Sequence, residues 1–306
     1  MMGSSSESKA NWNELSYDIL IKIFMNLTFV DLSAVSQVCR SWREACSSSE
    51  IWNKLDMSIL NCKLCNNKSK TPLAWSDEYS SATLSQMLKD ALSLSNGNTS
   101  CLIFHYFIPI TDEHLVSAAE RTRNLKRLVL PGWGNISNTG VYQAMKLWRN
   151  LESMTITSNF NHPFVFAAIG RYCKNFYELK ITCSFSIELA DALIKHTPNL
   201  KVLSIRSTMV NKKALFSVLD SLEHLEVVNI CHSLILEKTS ASPTYVVYPI
   251  HELPNHLNES CLKKLLTCQA KTCIRCKYGR VNSQRKKEYE FLEILWREDE
   301  ITSLAH

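Results

Sequence analysis

Cys268, Cys273 and Cys276 stand five and three positions apart, with Cys261 upstream; Cys62 and Cys65 form a second pair. Thiolates at such spacing suit a zinc ion, so Cys268, Cys273 and Cys276 are the candidate metal ligands. Packing is the expected role of these cysteines and a structural zinc the alternative. His251-Glu252-Leu253-Pro254-Asn255-His256 sets two histidines around a glutamate, as a metal-binding helix does. Here the histidines are five apart rather than four, and Pro254 breaks the helix. The 7 glycines form no G-x-x-x-x-G-K phosphate cradle, no G-x-G-x-x-G turn and no G-x-S-x-G elbow. No local signature supports Cys–His catalysis. The expectation is a protein without catalytic residues and without a cofactor.

Bulk composition agrees. A hydrophobic content of 45% promises a sizeable core, and 306 residues suffice for about two domains. The net charge of +5 is uneven: residues 261–290 hold nine Lys/Arg against two Glu, so the rest of the chain is slightly acidic. That is a poor electrostatic footprint for nucleic acid, so nucleic acid is not an expected partner. Met1 to Ala10 is polar and Ser-rich and lacks the apolar core of a signal peptide. No run approaches the roughly 18 apolar residues that span a bilayer. The expectation is a cytoplasmic or nuclear protein whose 12 cysteines are mostly thiols. Cys101, Cys173 and Cys183 fall in apolar positions, where Cys acts as a small hydrophobe.

The elements that position any site come from a repeat. Asn124-Leu125-Lys126-Arg127-Leu128-Val129-Leu130 returns with first residues at Asn150, Asn175, Asn199 and His224, which are 26, 25, 24 and 25 positions apart. A period in the twenties is that of leucine-rich repeats stacked as a solenoid. Leu128 and Leu130 alternate with Arg127 and Val129, a period of two that predicts a short strand with one buried face. Apolar sets at spacings of three and four predict a helix between strands. They are Leu115, Ala118 and Ala119; Val141, Ala144, Met145 and Trp148; Phe164, Ala167, Ala168 and Tyr172; Leu189, Leu193 and Ile194; and Leu215, Val218 and Leu219. Thr111-Asp112, Asn138, Ser186 and Asn211 stand where caps are expected. Asn159, Ser184, Thr208 and Ser233 follow the strands and can bond loop backbone inside the stack. Cys101-Leu102-Ile103-Phe104 is a weaker copy, and Trp52 to Met57 offers a first strand, giving six or seven units. Stacked units form a parallel concave sheet backed by convex helices. The two cysteine groups then lie at opposite ends, more than roughly 20 Å apart at about 4.8 Å per strand, too far to share one ion. The pattern resembles the cysteine-containing class of leucine-rich repeat, with Thr197-Pro198-Asn199-Leu200 and Tyr172-Cys173-Lys174-Asn175-Phe176 as repeat joints and Ile110 to Leu115 as a strand-to-helix turn.

Residues 15–55 differ. They predict short helices over about Asp18 to Leu27, Asp31 to Cys39 and Arg40 to Cys46, with a further turn from Ser49 to Leu55. Thr28-Phe29-Val30-Asp31 and Ser47-Ser48-Ser49-Glu50 have capping-box spacing. Ile19, Leu20, Ile21, Ile23, Phe24 and Met25 wrap most of the first helix, which is more apolar surface than a unit of about forty residues can hide alone. The excess is expected to lie either under the repeats or in another protein.

Leu15-Ser16-Tyr17-Asp18-Ile19-Leu20-Ile21-Lys22-Ile23-Phe24-Met25-Asn26-Leu27 resembles the opening of an F-box. Asp31-Leu32, Val35, Val38-Cys39-Arg40-Ser41-Trp42-Arg43 and Ile51-Trp52 continue it at the family's spacing. Ser16 and Thr28 stand where the family usually has proline, and either residue serves near a helix start. The chain as a whole resembles the short plant F-box/leucine-rich-repeat proteins, down to a Trp followed by an acidic stretch and a Ser-Leu-Ala end between Trp296 and His306. The resemblance implies an α/β fold with a three-helix F-box at 12–56 after a disordered start at 1–11. Repeats at 57–260 and a Cys-containing basic cap with an acidic tail at 261–306 would complete it.

It implies a substrate-receptor subunit of an SCF (Skp–cullin–F-box) ubiquitin ligase, with no bond chemistry of its own. The F-box would dock on a Skp-type adaptor, and through it a cullin, by Leu15, Ile19, Leu20, Ile23, Leu27, Leu32, Val35, Val38, Cys39, Trp42 and Trp52. Some of these must be internal core instead, Leu32 and Val35 foremost. A protein substrate would lie against the concave positions Arg127, Val129, Ser153, Thr155, Glu178, Lys180, Val202, Ser204, Arg206 and Asn229, or against the ascending loops or tail. The alternatives are a free-standing repeat module and a zinc-containing nucleic-acid binder using 261–290. Arg285-Lys286-Lys287 precedes Tyr289, Leu292, Leu295 and Trp296, which fit one face of a capping helix; a nuclear-targeting or acidic-partner patch is the other reading of that run. Residues 236–258, with Pro243, Pro249 and Pro254, read as an irregular connection.

Overall fold

The structure is a computed structural model that describes residues 15–57, 78–104, 109–130, 134–156, 162–238, 245–248, 253 and 262–268. The candidate ligands Cys273 and Cys276, with Cys261, Cys62 and Cys65, lie outside these residues. So do His251, His256 and the basic run at 285–287.

Four short helices open the chain: α1 (Tyr17–Phe24), α2 (Phe29–Val35), α3 (Arg40–Cys46) and α4 (Ser49–Trp52). The second starts earlier than periodicity predicts because Thr28 and Asp31 close the expected capping box. The Thr28 hydroxyl accepts from Asp31 N at 3.2 Å, and the Asp31 carboxylate accepts from Thr28 N at 3.2 Å. The box expected at Ser47 does not form. The Ser47 hydroxyl instead donates to the Arg43 carbonyl at 3.0 Å, and Ser48 becomes the cap position. Ser16 caps α1 with its backbone alone, its carbonyl accepting from Ile19 and Leu20 at 3.1 Å.

Strand and helix then alternate: β1 (Lys54–Asp56), α5 (Glu78–Ser95), β2 (Cys101–Ile103), β3 (Ile110–Thr111), α6 (Asp112–Arg121), β4 (Arg127–Val129), β5 (Gly134–Asn135) and α7 (Asn138–Leu147). The series continues with β6 (Ser153–Ile156), α8 (His162–Tyr172), β7 (Glu178–Ile181), α9 (Ile187–His196), β8 (Val202–Ser204), β9 (Met209–Asn211) and α10 (Lys212–Ser221). It ends with β10 (Val227–Asn229), β11 (Leu234–Lys238), β12 (Tyr245–Val247) and β13 (Lys264–Leu266). The main sheet has 8 strands in the order β1-β2-β4-β6-β7-β8-β10-β13. All of its pairings are parallel. Neighbouring strands sit about 4.8 Å apart, whereas packed helices need about 8–10 Å. The sheet therefore takes the inner, concave side of the arc.

In the first seven strands of the main sheet a central residue points into the core: Leu55, Leu102, Leu128, Met154, Leu179, Leu203 and Val228 are all at most 1% exposed. The helices meet them with the expected residues in α6, α7 and α10. In α8 the inward set is Val165, Phe166, Ala168 and Ile169, and Phe164 is exposed, so the stripe lies one residue from the expected one. Caps hold at Ser186 and Asn211, whose side chains accept from Leu189 N and Ala214 N. Ser137, not Asn138, caps α7. Three successive repeat joints are stitched together: Trp148 Nε1 donates to Thr122 Oγ1 at 3.0 Å, and the Cys173 thiol donates to the Trp148 carbonyl at 3.3 Å. Ser233 bonds loop backbone as expected, donating to the Ile205 carbonyl and accepting from Thr208 N.

Two features depart from expectation. The strand from Lys264 to Leu266, within the segment read as a cap, is the eighth member of the main sheet. Lys263 N and Lys264 N donate to the Glu226 carbonyl, as Glu226 N and Val227 N donate to that of Lys201. In addition, β11 and β12 reach into the region read as irregular and, with β9, form a separate three-stranded sheet.

Candidate functional site

The amino-terminal helices are continuous with the repeats. One apolar core runs from Leu20 to Leu253. Helices α2 and α4 both pack on α5, and β1 pairs with β2. Trp52 is 1% exposed, and its indole N–H donates to the Cys46 carbonyl.

This arrangement sorts the apolar residues of α1. Leu20, Ile21 and Phe24 face inward, and Phe24 meets Trp42 edge-on at 5.4 Å. Ile19 and Ile23, four apart on the opposite side, are 47% and 39% exposed. Tyr17, Met25 and Val38 are exposed as well. Of the residues expected to face an adaptor, Ile19, Ile23 and Val38 are therefore open. Leu15, Leu27, Val35, Cys39 and Trp42 are half-buried. Leu20, Leu32 and Trp52 are internal core at 2%, 3% and 1% exposure. For these three the expectation is corrected: the chain itself covers them, Leu20 in α1 where it packs on α3 and α4, and Leu32 and Trp52 in α2 and α4 where these pack on α5. Tyr17 and Met25, outside the expected set, are exposed too and lie off the Leu20–Ile21–Phe24 stripe.

The second surface is the outer face of the main sheet. Its two rows follow from the register. One runs Cys101, Arg127, Ser153, Glu178, Val202 and Val227; the other runs Ile103, Val129, Thr155, Lys180, Ser204 and Asn229. All the expected concave residues belong to these rows except Arg206, two residues past β8. Only Arg127, Val202 and Arg206 are half-exposed; Val129, Ser153, Thr155, Glu178, Lys180, Ser204 and Asn229 are buried. The Asn229 carboxamide oxygen accepts from Cys231 N at 3.0 Å. A sequence cannot show this burial, because alternation says only that a residue points away from the core.

Burial pushes the thiols of Cys46, Cys101 and Cys183 up to about 11 and that of Cys173 to about 12, so none is a nucleophile at neutral pH. Among the described residues no group of three or more His, Cys, Asp or Glu is arranged to hold a metal. None of their helices is long and apolar enough to cross a membrane.

An F-box-like family model matches residues 12–58. An F-box/LRR-repeat protein of Arabidopsis thaliana is 37% identical over 297 residues, 96% of each chain. A putative F-box protein of the same plant is 25% identical over 343 residues, 98% of each chain. Putative F-box/LRR-repeat protein 22, also from Arabidopsis thaliana, is 27% identical over 237 residues, 73% of this chain and 70% of that one. With helices and repeats in one continuous core and a relative matching along nearly its whole length, the chain belongs to the plant F-box/leucine-rich-repeat family.

Proposed function

We propose that this protein is the substrate receptor of an SCF-type ubiquitin ligase, non-catalytic itself. The outward side of α1 docks on a Skp-type adaptor linked to a cullin, and the repeats hold a protein substrate. The adaptor surface comprises Ile19, Ile23 and Val38, joined by Tyr17 and Met25 and flanked by Leu15, Leu27, Val35, Cys39 and Trp42. The substrate surface is the outer sheet face, entered at Arg127, Val202 and Arg206. Holding both proteins on one rigid frame raises the effective concentration of the reacting groups while a recruited enzyme does the bond chemistry. The protein acts in the cytoplasm or nucleus.

The observation that carries this reading is the exposed pair Ile19 and Ile23 on a helix already supplied with an inward apolar stripe. Fully burying such a side chain contributes about 1.5–3 kcal/mol, so each half-exposed isoleucine is worth about 1 kcal/mol to a partner. Ile19→Ala and Ile23→Ala should each weaken adaptor binding roughly fivefold. Ile19→Asp with Ile23→Asp should abolish capture of the Skp adaptor and cullin while leaving the thermal midpoint within a few degrees of wild type. Undiminished capture by that folded double variant would refute the assignment and favour a free-standing repeat module. Leu20 is unsuitable for this test, because an aspartate there would unfold the helices.

A further inference from the structure

Because the repeats stack in parallel, α6 to α10 run the same way, each packs on its neighbour, and all end on one flank of the arc. Their last turns align on the residues that follow them: Thr122, Trp148, Cys173, Thr197 and Leu222. Two positions before these stand Glu120, Lys146, Arg171, Lys195 and Asp220; one position after them stand Arg123, Arg149, Lys174, Pro198 and Glu223. The cations of both rows are exposed. None of them takes part in an ion pair among the described residues. Lys126 and Lys201, at the strand starts on the same flank, are by contrast paired with Glu152 and Glu226.

A cation at a helix end complements the backbone dipole, and Arg149 and Lys174 donate to the Lys146 and Gly170 carbonyls. The dipole does not account for the rows, because α10 ends in the same way with Asp220 and Glu223. The positive strip is bounded, with Glu120 at one end and Asp220 and Glu223 at the other. At about 8–10 Å per packed helix, α6 to α9 make it roughly 24–30 Å long. Its centre is preorganised. Arg171 Nη1 donates to the Tyr142 hydroxyl at 3.1 Å, and the guanidinium lies 5.7 Å and 5.5 Å from the centres of the Tyr142 and Tyr172 rings. Those rings meet edge-on at 5.4 Å. The remaining N–H groups of Arg171 and the Tyr142 O–H are donors that suit a carboxylate, and the held guanidinium loses little freedom on binding one.

We propose that this flank binds an extended acidic segment of a protein substrate, an inference that rests on the receptor reading above. Three residues of extended chain cover about 10 Å, so a carboxylate at every third position meets one helix end after another. A long polyanion fits less well. Duplex DNA carries a charge about every 1.7 Å, and Glu120, Asp220 and Glu223 would repel it at both ends of the strip. The turn from Thr122 to Arg127 joins the flank to the outer sheet face, so a segment held here leads the rest of the substrate to Arg127 and Val202.

Fluorescence anisotropy on the full chain tests this, with a labelled peptide of Glu-Ser-Gly triplets as long as the strip. Its saturable binding should weaken at least tenfold in Arg171→Glu with Lys174→Glu, and again in Lys146→Glu with Arg149→Glu, with thermal midpoints within a few degrees of wild type. Lys213→Glu with Lys238→Glu makes the same change of net charge away from the flank and should leave binding within twofold of wild type. Failure of the peptide to bind, or an equal loss in that third variant, overturns the proposal. Tighter binding of a DNA duplex or of phosphatidylserine vesicles through the same residues also overturns it, and would assign the flank to a different partner. Peptide binding needs no adaptor, and adaptor capture needs none of these residues, so either reading can fail while the other stands.

Discussion

At the residue scale the thiols divide by environment. Cys173 is 4% exposed, and burial lifts it to about 12; its S–H also donates to the Trp148 carbonyl, a bond a thiolate cannot make. Cys46 is fully buried and lifted to about 11. Cys39 moves the other way: its hydrogen bond with the Ser41 hydroxyl, then one from the Trp42 backbone, hold it below the ordinary thiol value. Because the thiolate is the nucleophile, iodoacetamide at pH 8 should alkylate Cys39 at least tenfold faster than Cys46 or Cys173. Peptide mapping over time checks this, and equal native rates would contradict it. Denaturation should erase the difference. Adaptor binding should slow Cys39, which lies half-buried beside exposed Val38. The same shifts set a pH dependence. A thiol whose folded value is raised above the unfolded value of 9.0 contributes stability that is whole below that pH. That stability is lost as pH rises towards about 11 and 12, because the unfolded chain ionises first. The denaturant midpoint should therefore fall between pH 9 and 11, and Cys46→Ala with Cys173→Ala should flatten the decline.

At the element scale the helices pack so closely that one position admits only glycine. A Cβ at Gly170 in α8 would sit 2.1 Å from the carbonyl oxygen of His196, at the end of α9. That oxygen is backbone and cannot swing aside. Gly170→Ala gains up to about 1 kcal/mol in helix propensity, against roughly 1–3 kcal/mol or more for overpacking. The net should be destabilising by about 1–2 kcal/mol, read from denaturant midpoints. At Gly140 the obstacle is the Asp112 side chain, 2.2 Å away and able to rotate. Gly140→Ala should cost less, chiefly through the bonds between Asp112 and Ser137. The same elements show what a sequence makes legible. The repeats were readable because a strand of period two and a helix of spacing three and four recur every 24 to 26 residues. The eighth strand escaped because Leu262 follows Leu225 by 37 residues, the β11–β12 ribbon being inserted between. Phe164 misled because a bulky apolar residue beside the stripe looks like part of it. Leu20, Leu32 and Trp52 carry the right pattern for docking, but the pattern does not say which apolar residues the rest of the chain covers.

At the scale of the whole molecule, the helices that would meet the adaptor depend on the repeats for their own fold. Phe29 and Leu32 are the buried residues of α2, and α2 packs on α5; Trp52 anchors α4 beside β1, which pairs with β2. Removing α5 and β2 exposes this apolar surface in a unit of about forty residues, a size at which a single core is already marginal. Exposing even two large side chains costs about 3–6 kcal/mol, comparable with the whole stability of a small domain. A fragment ending at Met57 should therefore be unfolded alone, with a collapsed amide spectrum and no cooperative thermal transition. A fragment ending after Leu130 keeps α5, β2 and β4 and should recover the fold of α1 to α4, though with a lower midpoint than the full chain. Addition of the Skp adaptor should fold the short fragment only by linkage, with an apparent affinity reduced by the cost of folding it. Independent folding of the short fragment, with adaptor affinity equal to that of the full chain, would show that the shared core contributes nothing to docking. A weaker affinity restored by the longer fragment would show that the repeats hold the adaptor surface in place as well as presenting a substrate.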